Sequence, residues 1–346
     1  MAWDQFNTWS EKYVLAFGED IIRSIPAGGI YFGGTDAGRG IITALSESHA
    51  QGKPFFTLTQ NGLSDSSYLA YVRAMYGNRL SLLTEADLSD ALARYSADAE
   101  ERLGSGKLLP GEMVKKVDGK LRIEGQVSVM AVNGLLSKVL FDRNPGREFY
   151  IEESFPLDWM YPHLSPHGLI LKLNRQPLAE LPREVVQEDH DYWSRYIRPM
   201  LGGWLNDETP VSEVTAFVEK VHLSRNLAGF TGDQVFLADI EAQKAYAKLR
   251  SAVGGLYDWR ATRAKSPDEQ QRMTAAADFA FRQAYALCPR SPEALFRYLN
   301  LLMRTNRADD ARLAAATTLK LDPENGTVAS LVTVLKNFKP RTTPEI

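Results

Sequence analysis

A glycine-rich segment after a short apolar run is the first place in this sequence where a ligand could bind. Residues 29–40 read GIYFGGTDAGRG, and from Gly33 the spacing is G-x-x-x-x-G-R-G. A phosphate-binding loop of the type G-x-x-x-x-G-K-[ST] needs a lysine for the phosphates and a hydroxyl for Mg²⁺. Arg39 and Gly40 stand at those positions, so the residues for nucleotide hydrolysis are missing. The spacing G-x-G-x-x-G does not fit either, because Thr35 replaces its second glycine.

Two interpretations of this segment remain open. It is either a tight bend into a helix capped by Thr35 or Asp36, or part of a pocket at the carboxyl edge of a parallel sheet. A second strand-like run, FFTLT, leads into QNGLSDSSY in a similar way. If a pocket exists, the sequence predicts five polar lining residues: Thr35, Asp36, Arg39, Asn61 and Asp65. The same side chains can equally be helix caps and Asx turns with no ligand, and we prefer this structural interpretation.

The histidines do not predict a metal or cofactor site. His163 and His167 are four positions apart, but nearby prolines interrupt the helix that would place both on one face. His190 lies between carboxylates in the segment EDHD, which we interpret as solvent-exposed charge on a helix. We therefore expect no cofactor and no metal.

Catalytic motifs of the hydrolase and metalloprotease types do not occur in the sequence. Glu152 and Glu153 end a predicted strand, but neighbouring residues of a strand point to opposite faces, so a shared acid–base role is not expected. The chain contains no G-x-S-x-G, no H-E-x-x-H and no Cys–His nucleophile pattern. Its single cysteine, Cys288, excludes an internal disulfide.

Composition excludes several classes of protein. The chain has 346 residues, of which 44% are hydrophobic and 24% charged, and a formal net charge of −3. A nucleic-acid-binding protein would show a clustered basic excess, which is not present here. The N-terminal residues lack the apolar core of a signal peptide. The most apolar stretch, residues 127–140, is shorter than the roughly 20 residues of a membrane span. We expect a chain with neither a signal peptide nor a membrane span.

The elements that would position these residues belong to two predicted regions. Residues 1–175 alternate strand-like and helix-like segments, which predicts an α/β domain with a Rossmann-like, three-layer, mostly parallel sheet. Its predicted strands are 30–33, 54–59, 79–83, 147–153 and 168–174. A hairpin is predicted at 113–125, with Asp118 and Gly119 in the turn. Residues 176–240 are predicted to be a helical connector.

The C-terminal region, residues 241–340, carries a repeat. Pro289 and Pro323 are 34 positions apart, which is the tetratricopeptide period. Residues of the expected types occupy positions where helices of that repeat pack closely: Gly254, Tyr257, Ala277, Phe281, Ala284, Leu295 and Ala311. The second repeat departs from the pattern, because Ala315 replaces the aromatic residue and Thr318 the last small one. Two full repeats and a final helix are predicted. The predicted fold is therefore an α/β domain followed by an all-α region of tetratricopeptide-type repeats.

Several stretches together resemble a known family. They are IYFGGTDAGR, LTQNGLSDSSYLAYVRAMYG, FYIEESFPLDWMYPHLSPHGLILKLN, KLRSAVGGLYDWR and the repeat segments. Over about residues 20–335 the chain resembles the soluble C-terminal region of large multi-spanning bacterial membrane proteins. These are glycosyltransferase-like proteins of the GT-C class, related to protein O-mannosyltransferases. The resemblance implies an extracytoplasmic module beside a membrane-embedded transferase; without it, a cytoplasmic location is expected.

These observations predict a protein-interaction module rather than an enzyme. In the resembling family the catalytic acid lies in the membrane part and the donor is a lipid-linked sugar, so no catalytic residue transfers to this chain. The predicted partner is a protein or peptide bound by the helical repeats, with a membrane glycosyltransferase as one possibility and nucleic acid excluded. The alternative is a sugar- or nucleotide-binding α/β enzyme that uses the strand-end pocket near Asp36 and Asn61.

Overall fold

The structure, a computed structural model, describes residues 10–338 except 34–36 and 154–155. Most of this part of the chain is helical, with a small mixed sheet of five strands and a C-terminal helical region, which confirms the coarse prediction. Contacts divide the described residues into two compact units. The first comprises residues 18–164 and 172–178, and the second comprises residues 10–17, 165–171 and 179–338.

Helix α1 (Glu11–Ser24) begins in the second unit and continues into the first. The sequence then forms β1 (Ile30–Gly33), α2 (Ala37–Leu45), β2 (Phe56–Thr59), α3 (Ser66–Tyr76), α4 (Glu85–Ser105), β3 (Met113–Val117), β4 (Lys120–Glu124), α5 (Gln126–Arg143), β5 (Phe149–Glu152), β6 (Leu164–His167) and β7 (Ile170–Leu173). The five-stranded sheet has the order β2-β1-β5-β7-β6. Strand β1 pairs in parallel with both β2 and β5, and all three strands are buried, as central parallel strands are. The parallel prediction therefore holds for these three strands, while the sheet as a whole is mixed.

The predicted hairpin is confirmed and stands apart from the main sheet. Strands β3 and β4 pair antiparallel with each other as a two-stranded sheet. Asp118 and Gly119 have φ angles of 50° and 75°. A type I′ turn needs positive φ at both central residues, so the Asp-Gly pair accounts for this turn.

The strand predicted at 79–83 is wrong. These residues form no strand, because side chains rather than a neighbouring strand bind their backbone. The Ser81 amide donates to Oδ1 of Asn144 at 3.1 Å, and Nδ2 of Asn144 donates to the Ser81 carbonyl at 2.9 Å. Nε of Arg73 donates to the Leu83 carbonyl at 2.9 Å. A short apolar run therefore remains irregular here, and side chains from other segments bind part of its backbone.

The second unit is built mainly from helices. They are α6 (Arg183–Leu201), α7 (Val211–Phe217), α8 (Gln234–Ala238), α9 (Ile240–Arg263), α10 (Pro267–Leu287), α11 (Pro292–Arg304), α12 (Ala308–Leu321) and α13 (Gly326–Asn337). A π-helical turn, Val218–Leu223, follows α7. Serine or asparagine side chains cap α10, α11 and α13, and Pro stands in the first turn of α10 and α11. Residues 179–240 belong to the same unit as these C-terminal helices.

Helices α9 and α10 pack antiparallel. Arg250 on α9 donates to Gln283 on α10 at 2.7 Å. One turn farther along α9, a Cβ at Gly254 would lie 2.7 Å from the ring of Phe281, two residues earlier on α10. Pairing partners thus move in opposite directions along the two helices. The glycine lets the helices approach closely.

Alternate C-terminal helices run parallel. Between α9 and α11, Arg297 donates to the Ser251 carbonyl and Arg304 pairs with Asp258; both pairs are 46 residues apart. Between α10 and α12, Tyr285 donates to the Ala314 carbonyl at 3.1 Å with a separation of 29 residues. Arg307, just before α12, pairs with Asp278 at the same separation. A constant separation means that both helices advance in the same direction.

Among the described residues, no helix is both long enough and apolar enough to cross a lipid bilayer.

Candidate functional site

The carboxyl ends of three parallel strands meet in the first unit. In the strand register Gly33 lies opposite Thr59 on one side and opposite Glu152 on the other. All three residues are buried. The segment GIYFGGTDAGRG reaches this edge, because α2 begins only four residues after Gly33. A bend or a ligand pocket in this segment would therefore lie here.

Gly38, in the first turn of α2, makes room for the carboxylate of Glu152. A Cβ at position 38 would overlap that carboxylate, so only glycine fits without movement. Glu152 is 2% exposed, and the Tyr31 hydroxyl donates to the Gly38 carbonyl at 2.7 Å. A helix N-terminus attracts negative charge. Glu152 thus places a carboxylate of this chain beside the turn where a phosphate-binding loop would hold a phosphate.

Of the five predicted site residues, Arg39 is held at this edge. Its Nη1 donates to Oγ1 of Thr59 at 2.6 Å. The Thr59 amide in turn donates to the Tyr68 hydroxyl at 2.6 Å. Burial raises the pKa of Tyr68, which keeps the phenol neutral at physiological pH. Thr35 and Asp36 lie outside the described residues.

Asp65 serves as a helix cap. Its Oδ1 accepts from the amides of Ser67 and Tyr68 at 2.7 and 3.0 Å, so it caps α3. Its side chain therefore caps a helix, as the preferred interpretation of the sequence predicted.

Asn61 and its neighbour Gln60 are polar residues at this edge whose side chains have unused hydrogen-bonding capacity within the described part of the chain. The Asn61 carbonyl accepts from Nδ2 of Asn133 at 3.1 Å, while its own Oδ1 has no hydrogen-bond partner among the described residues. Gln60 is fully buried, and both atoms of its amide lack a partner within the same part of the chain. Sequence reasoning missed Gln60. The only available signal is a glutamine directly after an apolar strand.

A second candidate site lies within the helical unit. A half-open cavity of about 370 Å³ lies between α6, α9 and α10, and we call it the inter-helix cavity. Its lining includes Val186, Asp189, His190, Ala276, Phe279 and Arg282. Its volume falls within the range of small-molecule sites, roughly 300–1,000 Å³.

Asp189 contributes a buried carboxylate to this cavity. Its Oδ2 accepts from Nη1 of Arg250 at 2.7 Å and from the Tyr257 hydroxyl at 2.8 Å. Burial raises the pKa of Tyr257 far above its ordinary value, so the hydroxyl remains a donor. The interpretation of EDHD as solvent-exposed charge is therefore wrong for Asp189. Asp189 shares the buried face of α6 with Trp193 and Ile197, a four-residue spacing that is visible in the sequence.

In the rest of EDHD, Glu188 and Asp191 are exposed, as predicted, while His190 is only partly exposed. The His190 ring stacks on Phe279 with centroids 4.6 Å apart, and its Nε2 contacts the Asp207 carboxylate. On α10, Asp278 lies 3.1 Å from Nε of Arg282 and 2.7 Å from Arg307. The cavity wall therefore carries charged groups that are already paired.

A shallower hollow, the array groove, lies between α10 and the α11–α12 connection. It has a volume of about 470 Å³ and is lined by Gln270, Gln271, Thr274, Ala275, Leu301 and Thr305, with Arg304 and Arg307 beside them. Its wall on α10 contains polar, uncharged side chains, Ala275 and the carboxylate of Asp278.

Comparisons with protein-family models, curated proteins and solved structures give no match for this chain. Among the described residues, no group of three or more His, Cys, Asp and Glu side chains could hold a metal ion.

Proposed function

We propose that this chain is a protein-interaction module whose C-terminal helices bind a segment of a partner protein. The observation that carries this proposal is the pairing of alternate helices at constant separations of 46 and 29 residues. Stacked antiparallel helix pairs with parallel neighbours are the arrangement of tetratricopeptide repeats, whose extended surfaces bind peptides and proteins. We accordingly interpret helices α9 to α13 as a short array of that type.

Residues at the predicted repeat positions support this interpretation. Ala277 and Ala284 are fully buried, and Phe281 is 1% exposed against Gly254. The larger separation between α9 and α11 reflects the longer first repeat, in which AKSPDEQQ extends the connection and the start of α10. The array groove then provides the surface where a partner segment binds.

The partner is inferred from the family resemblance. We propose a membrane glycosyltransferase-like protein, or an acceptor protein that such a transferase modifies, met on the extracytoplasmic face of a membrane. Within this proposal the first unit is a Rossmann-like scaffold, since β2, β1 and β5 are parallel and a helix follows each of the first two strands. Glu152 beside α2 argues against phosphate chemistry at that helix.

Site-specific photo-cross-linking in the native cells tests this function. A photoreactive amino acid replaces Gln271 in the array groove, and a matched control replaces Leu92, which is 47% exposed on α4 of the first unit. We expect a discrete adduct with one membrane-associated or secreted protein from position 271 and no such adduct from position 92. Equal labelling from both positions would contradict the proposal.

The alternative function, a sugar- or nucleotide-binding enzyme at the strand edge, is favoured by one observation. The buried amide of Gln60 and the Oδ1 of Asn61 lack partners among the described residues, and a ligand could provide them. Thermal denaturation with sugar phosphates and nucleotides tests this, since a ligand of the folded state raises the midpoint. The alternative predicts a saturable rise of the midpoint that Asn61→Ala abolishes.

A further inference from the structure

Three arginines lie next to one another near the amino ends of β1 and β5. Arg147 donates from Nη1 to the carbonyl of Gly28 and from Nη2 to the carbonyl of Arg79, at 2.7 and 2.9 Å. Nη2 of Arg175 in turn donates to the carbonyl of Arg147 at 2.5 Å. We call Arg79, Arg147 and Arg175 the arginine cluster.

The arginine cluster carries positive charge without a carboxylate partner. Every hydrogen bond that its guanidinium groups make within the described residues ends on a backbone carbonyl. Two acidic side chains near Arg147 in the sequence already pair with lysines. Asp142 lies 2.6 Å from Lys138, and Glu148 lies 2.5 Å from Lys172. Three like charges therefore lie close together, and all three would attract a bound anion.

An open hollow of about 770 Å³ borders this cluster, and we call it the arginine hollow. Its lining includes Asn78, Arg79, Ser81, Asn144, Gly146 and Arg147. Arg79 is exposed and Arg147 is partly exposed. Of the five N–H donors of a guanidinium, Arg147 uses two and Arg79 uses three within the described part of the chain. Both side chains line the hollow and keep unused donors.

A phosphoryl group matches the charge and the chemistry of this hollow. Arginine holds phosphate oxygens through paired, charge-assisted hydrogen bonds. A phosphate monoester carries about 1.5 to 2 negative charges near neutral pH, more than a single carboxylate brings to the three arginines. Asn78 and Ser81 add neutral donors to the lining, in the side-chain amide and the hydroxyl.

We propose that the arginine hollow binds a phosphoryl group. Arg79 and Arg147 donate to its oxygens, and Arg175 adds to the positive potential. The phosphoryl group belongs either to a free phosphate or phosphorylated small molecule, or to the headgroup of an anionic lipid, because both present the same oxygens. The hollow shares no residue with the array groove or with the carboxyl edge of the sheet, so its test does not depend on the proposed function.

Calorimetric titration of the full chain at constant ionic strength tests the proposal, with inorganic phosphate, glycerol 3-phosphate and acetate as ligands. We expect saturable binding of phosphate or glycerol 3-phosphate and at least tenfold weaker binding of acetate. Co-sedimentation with phosphatidylcholine vesicles, with and without phosphatidic acid, provides the lipid arm. Binding to phosphatidic acid vesicles alone would assign the phosphoryl group to a lipid, and binding of the soluble ligands alone would assign it to a small molecule.

Two variants place a carboxylate in the lining without changing an arginine: Asn78→Asp and Gly146→Asp. Asn78 is exposed, and a Cβ at Gly146 would meet no atom within 4 Å, so both variants should fold. Each should weaken binding of the phosphoryl ligand at least fivefold without lowering the thermal midpoint, because the new carboxylate competes for the guanidinium groups. Gly134→Asp adds the same charge to α5, about 14 Å from its end, and should leave the affinity unchanged.

Three results would overturn the proposal. The first is that phosphate, glycerol 3-phosphate and phosphatidic acid vesicles all fail to bind saturably. The second is that acetate binds as tightly as phosphate. The third is that Asn78→Asp and Gly146→Asp both bind like the parent chain, or no more weakly than Gly134→Asp.

Discussion

The Asp189 carboxylate on α6 and the Arg250 guanidinium on α9 form an ion pair in which the side chains are 2% and 1% exposed. Removing one partner of such a pair leaves a buried charge without compensation, which costs about 3–5 kcal/mol. We therefore expect Asp189→Leu and Arg250→Met each to lower the free energy of unfolding by about that amount. Urea denaturation measures it.

The double variant Asp189→Leu/Arg250→Met provides the control. It removes both charges together, so it should cost less than either single change. The hydroxyl of Tyr257 and the side chain of Gln283 lose a partner in this variant, which sets a limit on the recovery. If the double variant lowers the free energy of unfolding by the sum of the two single losses, Asp189 and Arg250 do not act as a pair.

The close approach of Glu152 to Gly38 gives a second prediction. Gly38→Ala forces the carboxylate or the helix to move, and overpacking of this kind costs about 1–3 kcal/mol. A shortened side chain at position 152 leaves space for the new methyl group. The cost of Gly38→Ala should therefore be smaller in a Glu152→Ala background, as a double-mutant cycle by chemical denaturation would measure.

Gly134 is the matched control in the same unit. It lies within α5, and a Cβ there would meet no atom within 4 Å. Gly134→Ala should stabilise the protein by about 0.5–1 kcal/mol, because alanine favours the helix over glycine. If Gly38→Ala behaves like Gly134→Ala, the glycine at position 38 has no steric role.

His222, in the π-helical turn after α7, makes stability depend on pH. Burial lowers its pKa from 6.5 to about 4, and the charges of Arg225 and Arg290 act in the same direction. The unfolded chain therefore binds a proton that the folded chain excludes between these two pH values. Stability is complete above pH 6.5 and falls as the pH decreases toward 4, by about 2 kcal/mol between pH 7.5 and 5 from this residue.

The variant His222→Phe isolates this contribution. Phenylalanine keeps an aromatic ring beside Phe217, whose centroid lies 5.9 Å from that of His222, and it does not titrate. The difference in unfolding free energy between parent and variant should therefore change with pH over this window. A constant difference from pH 7.5 to 5 would exclude the proposed titration.

Asp65 provides a test that separates a cap from a ligand-binding residue. Asp65→Ala removes the acceptor for two amides at the start of α3 and should cost about 1 kcal/mol. Asp65→Asn retains a side-chain oxygen that can cap the helix, so it should preserve most of the stability. Thermal denaturation of both variants distinguishes them, and equal losses would argue that the negative charge itself matters.

Local patterns predicted much of the fold. The buried strands β1, β2 and β5 are short apolar runs, and the Asp118-Gly119 turn follows from the positive φ that both residues tolerate. Prediction from local patterns fails where contacts with side chains distant in the sequence determine the structure. Asn144 binds the backbone of Ser81 from 63 residues away, and no local signal in RLSLL reveals this.

The candidate sites were less predictable for the same reason. Asp189 looks like surface charge until Arg250, 61 residues later, is placed against it. Gln60 is notable because of its burial rather than its type. Asp65, by contrast, was already assigned as a helix cap in the preferred interpretation, because capping depends on a few neighbouring residues.

The most direct test of the interaction account is the affinity for the partner identified by cross-linking. Thr274 lies in the array groove on α10, so Thr274→Tyr should obstruct a bound segment, while Leu92→Tyr alters an exposed position of the first unit. Titration of the purified partner should show at least a tenfold weaker affinity for Thr274→Tyr and an unchanged affinity for Leu92→Tyr. Equal affinities for both variants and the parent chain would contradict binding through the C-terminal helices.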